Sequence, residues 1–184
     1  MNKILSEKTI LDNWFHVEEA EIDTGSSVVS RMRLNRPEAA CILVYNRESG
    51  KIILSRQFRY AITQKTGEHI LEVAAGKTDP GESPAQTAIR ECREEIGYHI
   101  DPAGLKLVAS CYMSPGYSSE LLHHYYAEVS NKDRRSEGGG LKSEDEEITI
   151  VEMDREQFLQ EIKAARICDA KSLLLGYWFL AQGI

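Results

Sequence analysis

Three glutamates, Glu91, Glu94 and Glu95, stand at i, i+3 and i+4 of a stretch spanning residues 76–98. In a helix those offsets stack side chains on one face. Like charges so placed repel by about 0.2–0.5 kcal/mol per pair on an exposed helix, and a hard divalent cation turns that cost into a binding site. A solvated acidic face is the ordinary fate of paired glutamates, but the frame around these argues for more. Ser83, Pro84 and Gln86 spell a helix start, with a capping box and a proline in the first turn. Gly97 supplies the left-handed stop. Between them Ala85, Ile89, Cys92 and Ile96 form an apolar stripe that docks the helix on a core. Glu91 and Glu95 flank that stripe, while Glu94 points further out with Arg90 four residues before it as an ion-pair partner. Residues 76–81 hold two glycines and a proline, a loop that folds back over the helix. The carboxylates therefore face a loop rather than open water.

The elements that must position this helix are mostly strands. Residues 14–22 and 28–34 read as a hairpin around a turn at 23–26, and residues 40–45 and 51–58 as a second hairpin. Further strands are expected at 69–74, 105–113, 121–129 and 148–154. An amphipathic helix follows at 154–167, with Asp154 and Gln157 as a capping pair, and a last helix begins at Asp169. This order suggests a mixed sheet covered by three helices, an α/β or α+β domain without repeats or linkers.

Composition narrows the function. The chain has 184 residues, 42% hydrophobic and 28% charged, which is enough for one globular unit. No apolar run approaches the ~20 residues of a membrane span, and the N-terminus does not read as a signal peptide, so no membrane partner is expected. Cys41, Cys92, Cys111 and Cys168 are far apart in sequence and read as buried reduced thiols, which points to the cytoplasm. A net charge of −7 argues against a nucleic-acid polymer, whereas a small anionic ligand remains compatible once cations correct the local field.

Gly76, Glu82 and the run Arg90-Glu91-Cys92-Arg93-Glu94-Glu95-Ile96-Gly97-Tyr98 resemble the Nudix box, GX5EX7REUXEEXGU, with Cys92 and Tyr98 at the bulky apolar positions. The segments KIILSRQFRY (51–60), HILEVAAG (69–76), MSPGYSSE (113–120) and DAKSLLLGYWFLAQ (169–182) look like the ADP-ribose pyrophosphatases and their GDP-mannose-hydrolysing relatives. The resemblance implies an α/β/α sandwich with mixed sheets and an N-terminal β-hairpin extension. It divides the chain into residues 1–38, for dimerisation and base binding, and a hydrolase unit at 39–184.

The resemblance also implies a chemistry: hydrolysis of a nucleoside diphosphate sugar with Mg2+, or Mn2+. ADP-ribose is the expected substrate and GDP-mannose the alternative; a non-catalytic nucleotide sensor is the reading from another class. Carried over position by position, Glu91, Glu95 and the Ala75 carbonyl would hold the metal, with Arg90 and Glu94 beside them. A further carboxylate would come from the acidic run at 144–147, Glu146 first and Glu144 second, as metal ligand or base. Residues 138–140, three glycines, are read as a flexible lead into that run. Arg59 and Arg36 would contact phosphates, Trp14 and Arg31 would sandwich the base, and Glu72, Ser114, Gly116 and Glu120 would line the substrate site. His123 and His124, on an alternating strand, read as structural, and a homodimer sharing its sites is expected.

Overall fold

A computed structural model describes residues 1–66, 69–141 and 146–183. Strands β1 (Lys3–Asp12), β2 (His16–Asp23) and β3 (Val28–Asn35) form an antiparallel three-stranded sheet in that order. Strands β4 (Ala39–Asn46), β5 (Lys51–Phe58), β6 (His69–Glu72), β7 (Ala74–Lys77), β8 (Lys106–Tyr112), β9 (Leu121–Val129) and β10 (Ile148–Asp154) build a seven-stranded sheet. Its path runs β10-β5-β4-β9-β8, with β6 paired to β5 and β7 to β4. The sheet is mixed because β4 and β9 run parallel, in register from Ala39↔Leu122 to Asn46↔Val129. The helices are a short α1 (Thr63–Thr66), then α2 (Pro84–Ile96), α3 (Arg155–Lys163) and α4 (Ala170–Gln182).

Strand β4 shows why the sheet is covered on both faces. Successive strand side chains point to opposite sides. Ala39, Cys41 and Leu43 pack into one core with Phe158, Leu159 and Ile162 of α3 and Leu175 and Phe179 of α4. Ala40, Ile42 and Val44 pack into a second core with Ala88, Cys92 and Ile96 of α2. A strand buried on both faces reads as a continuous apolar run, which is how residues 40–45 stand in the sequence. Helix α2 thus takes one face of the sheet alone, and that isolates it as a platform.

Most expected elements are present, with instructive departures. Strand β1 had no counterpart in the sequence reading: all ten of its residues are exposed, so no buried face imprinted a pattern. It pairs with β2 through contacts such as Lys8 Nζ to Glu19 Oε2 at 3.0 Å and Ser6 Oγ to Glu21 Oε2 at 3.2 Å. The single strand expected at 69–74 is two strands broken at Val73, since β6 pairs with β5 and β7 with β4. Helix α3 ends at Lys163, before Ala165 turns to a φ of 51°. The expected Asp154–Gln157 capping pair does not form; the Asp154 side chain makes no cap bond and lies 3.7 Å from Lys51 Nζ instead. Cys41 and Cys92 are buried thiols as expected, but Cys111 is half-buried and Cys168 exposed.

Candidate active site

The start of α2 forms as its sequence dictates. Ser83 accepts from the Gln86 backbone N–H while the Gln86 side chain accepts from Ser83 N, with Pro84 in the first turn. Gly97 closes the helix in the left-handed region at φ 79°. Because the apolar stripe faces β4, Glu91 and Glu95 are carried under the 76–82 loop, where they are only 8% and 2% exposed. Gly76 lets the loop close on the helix: a Cβ there would lie 1.8 Å from Glu91 Oε1, so the Glu91 carboxylate would have to move.

Burial pushes the Glu91 carboxyl up to about 7, against the pull of Arg90 and helped by Glu94 and Glu146. Burial likewise pushes Glu95 up to about 8, reinforced by Glu91 and Glu146 and partly relieved by a backbone hydrogen bond at Ala75 and by the Arg59 charge. Among the described residues the one cation in direct contact with the pair is Arg90. Its guanidinium donates to Glu82 Oε1 and Oε2 (both 3.1 Å), Glu91 Oε1 (2.7 Å), Glu94 Oε2 (3.1 Å) and the Lys77 carbonyl (3.1 Å). These carboxylates hold it firmly protonated. Arg90 ties loop to helix, and Arg93 also reaches Glu94 Oε1 at 3.2 Å, yet the carboxyls of Glu82, Glu91, Glu94 and Glu95 outnumber these two arginines.

That excess suits a hard divalent cation, because the donors are carboxylate oxygens held close and dry. Among the described residues no three His, Cys, Asp or Glu side chains already stand at cation-ligating distance. Glu91 and Glu95 form the pair, and Glu146 is the third carboxylate whose charge reaches both. Glu144 lies outside the described residues.

The segment leading to Glu146 differs from its sequence reading. Its glycines are docked, not loose: Gly139 N donates to Glu95 O at 2.9 Å and Gly140 N to Glu94 O at 3.1 Å. The carbonyls at the end of a helix lack intrahelical partners, and these amides satisfy two of them. Composition suggested freedom, but tertiary hydrogen bonds override it.

A cavity of about 390 Å3 opens nearby, lined by Trp14, Phe15, Arg36, Arg59, Ser114, Tyr117 and Glu120 among others. The turn after β8 is pinned to the end of β3, with Leu34 N donating to Tyr117 O at 2.7 Å and Ser119 N to Leu34 O at 3.1 Å. Arg36 Nε lies 3.4 Å from Glu120 Oε1. Trp14 is 85% exposed, so it is no core residue. Five of the residues expected to bind substrate therefore meet in one place: Trp14, Arg36, Arg59, Ser114 and Glu120. Arg31, Glu72 and Gly116 are not among the lining residues; Arg31 stands exposed on β3 and donates to the Ser30 carbonyl. His124 is fully buried and His123 bonds Ser110 and Glu38, away from this cavity.

Arg59 joins the two regions, lining the cavity while its charge is felt at Glu95. It is held by a two-pronged ion pair to Glu72, Nε to Oε1 and Nη2 to Oε2, both at 2.8 Å. Glu72 is 2% exposed, and Lys171 Nζ reaches its Oε2 at 2.6 Å and Asp169 Oδ1 at 2.9 Å. Burial opposes the Lys171 charge, but Asp169 and Glu72 outweigh it and raise its pKa. Sequence reasoning missed Lys171. Its signal was a lysine in the first turn of a helix, where the macrodipole disfavours a cation unless a carboxylate waits for it.

Comparison with known proteins agrees with this geometry. The family model for the NUDIX domain matches residues 35–173. A protein of Cronobacter sakazakii named GDP-mannose pyrophosphatase is 33% identical over 189 aligned residues, covering 99% of this chain and 96% of its own. One of Citrobacter koseri with the same name is 35% identical, covering 94% and 91%. The crystal structure of an ADP compounds hydrolase shares the fold with a TM-score of 0.74 at 24% identity, covering 99% of this chain and 96% of that one. With a box helix whose buried glutamates lie under a glycine loop and a family match over most of its length, the chain belongs to the Nudix family of hydrolases.

Proposed function

We propose that the protein hydrolyses the pyrophosphate of a nucleoside diphosphate sugar at the junction of α2 and the cavity. The observation that carries this reading is Arg59, which lines the cavity and whose charge is felt at the buried Glu95. A diphosphate held there would put its phosphorus atoms between a phosphate-binding arginine and the carboxylates. Glu91 and Glu95 would hold Mg2+, or Mn2+, with the Ala75 carbonyl as a further oxygen donor. Such a cation lowers the pKa of an attacking water and offsets charge building on the phosphoryl oxygens.

The residues of the chain then have distinct tasks. Glu146 takes a proton from water as its oxygen bonds to one phosphorus. The bridging P–O bond breaks, and the leaving phosphate keeps the electron pair. Arg59 and Arg36 neutralise the diphosphate, while Arg90 keeps Glu91 and Glu94 in place. Trp14 offers an aromatic face to the base.

Identity of 33% and 35% along nearly the whole chain to proteins named GDP-mannose pyrophosphatase favours GDP-mannose as the first substrate to try, with GMP and mannose 1-phosphate as products. ADP-ribose stands second, on the motif resemblance at 69–76 and 113–120. Ile4, Ile10, Leu11, Val28 and Met32 leave apolar surface exposed on the three-stranded sheet, which supports a homodimer built there. No helix among the described residues is long and apolar enough to cross a membrane. The free thiols suit the cytoplasm. The test is a panel of nucleotide sugars with Mg2+, products separated by chromatography. GMP released from GDP-mannose faster than AMP from ADP-ribose supports the order given; no turnover of any member defeats the enzyme reading in favour of a sensor.

A further inference from the structure

Residues 138–140 are three glycines with φ of 65°, 103° and 82°, a run of left-handed backbone that other residues adopt only with strain. What a side chain would meet differs at each. A Cβ on Gly138 would lie 2.6 Å from Glu95 O and 2.9 Å from Gly97 N, against the end of α2. One on Gly139 would meet only Ile148 O at 3.7 Å, an ordinary contact. One on Gly140 would lie 2.8 Å from both Glu146 Cβ and Glu146 Oε2.

The carboxylate is therefore packed directly on the Gly140 backbone. Leu141 N donates to the carboxylate at Glu146 Oε2, and the Glu146 backbone N–H donates to Leu141 O, both at 3.3 Å. The same segment is fastened to the helix that bears the other two carboxylates, through Gly139 N to Glu95 O and Gly140 N to Glu94 O. Upstream, Arg135 N and Ser136 N donate to Gly97 O at 2.8 and 3.3 Å. Downstream, Ile148 N donates to Gly139 O at 3.3 Å as β10 begins.

We infer that Gly140 is a positioning residue: its missing side chain, on a glycine segment clamped to the C-terminal end of α2, sets where Glu146 stands relative to Glu91 and Glu95. The three carboxylates then form one rigid unit although Glu146 is remote in sequence. This rests on the proposed role of Glu146, and it adds that the acid is prepositioned by backbone contacts before substrate arrives. A side chain at 140 pushes the carboxylate outward, and a displacement of about 1 Å at a reacting group costs on the order of 100-fold in rate.

The test compares two alanines with the same kind of backbone strain but different neighbours. Gly140→Ala is expected to lower kcat about 100-fold with KM within about threefold of wild type. Gly50→Ala, at φ 71° in the β4–β5 turn with no atom within 4 Å of the added Cβ, should lose thermal stability to a similar degree yet keep kcat within about threefold. Because Gly140 acts through Glu146, Gly140→Ala combined with Glu146→Gln should be no slower than Glu146→Gln alone. Equal loss of kcat in the two alanine variants, or additive losses in the double variant, overturns the inference while leaving the role of Glu146 standing. Wild-type turnover in Glu146→Gln overturns both. Should Gly140→Ala not fold, hydrogen exchange on cation-free Glu146→Ala decides. Protection of the Leu141 amide should fall about tenfold while Gly139 and Gly140 stay protected. Unchanged protection at Leu141 removes the contact on which the inference is built.

Discussion

The two walls of the candidate site are made in opposite ways. The carboxylate wall is one helix and the loops pressed on it, buried, and tied by hydrogen bonds chiefly to Arg90. The cavity wall gathers side chains from at least four separated stretches, around Trp14, Arg36, Arg59 and Ser114–Glu120, and its aromatic face is largely exposed. Rigid burial suits groups that must hold a metal and stabilise developing charge. An open, polyvalent wall suits recognition, where loops can change without disturbing the scaffold. On the proposed function, turnover would rest chiefly on α2 and the segments docked on it, and substrate choice on loops that only meet through the sheet.

Substitutions on each wall should therefore break different things. Glu95→Gln keeps shape and removes one buried ligand, so kcat should fall about 1,000-fold while the fold survives, read by steady-state kinetics and thermal melts. Near-normal turnover would take the metal site off this helix. Arg90→Lys keeps the charge but loses the fork that reaches three glutamates and a carbonyl. Turnover should drop about 100-fold and stability by about 1–2 kcal/mol, measured by urea unfolding. On the other wall, Trp14→Ala should raise KM about tenfold and leave kcat and the melting temperature unchanged, since the ring is mostly in water. A fall in kcat equal to that of Arg90→Lys would erase the distinction between the walls.

The smallest expected effect is on stability against pH without divalent cations. Glu91 and Glu95, raised to about 7 and about 8 from an ordinary 4.5, keep protons in the fold that the unfolded chain has released. Their contribution to stability is therefore lost as pH rises from about 4.5 to about 8. Melting of the cation-free protein should weaken across that window, and Glu95→Gln or added Mg2+ should flatten the slope. Half-buried His16 is also shifted, raised from its ordinary value by its hydrogen bond to Asp12, so the difference between variant and wild type isolates the pair. An unchanged slope in Glu95→Gln would mean the acids are not strained by their burial.

How much of this was legible depended on distance along the chain. The box helix was readable to the residue, because a capping box, a proline, a glycine stop and an apolar stripe all act within a few turns. The strands of the seven-stranded sheet were readable where one or both faces were buried, as at β4, β5 and β9, since burial writes a pattern into the residues. Strand β1, exposed along its whole length, wrote none. Trp14 and Glu120 could be named individually, but nothing local said that they would line one cavity with Arg59.

The sequence by itself determined α2, its capping and the face that carries Glu91 and Glu95, because these follow from helix periodicity and short-range sterics. Tertiary structure alone decided the rest. It buried the glutamates enough to raise their pKa, clamped the 138–140 glycines onto the helix end, and set Glu72 between Arg59 and Lys171. Those outcomes depend on desolvation and on hydrogen bonds between distant segments. Both exist only after the sheet has brought the chain together.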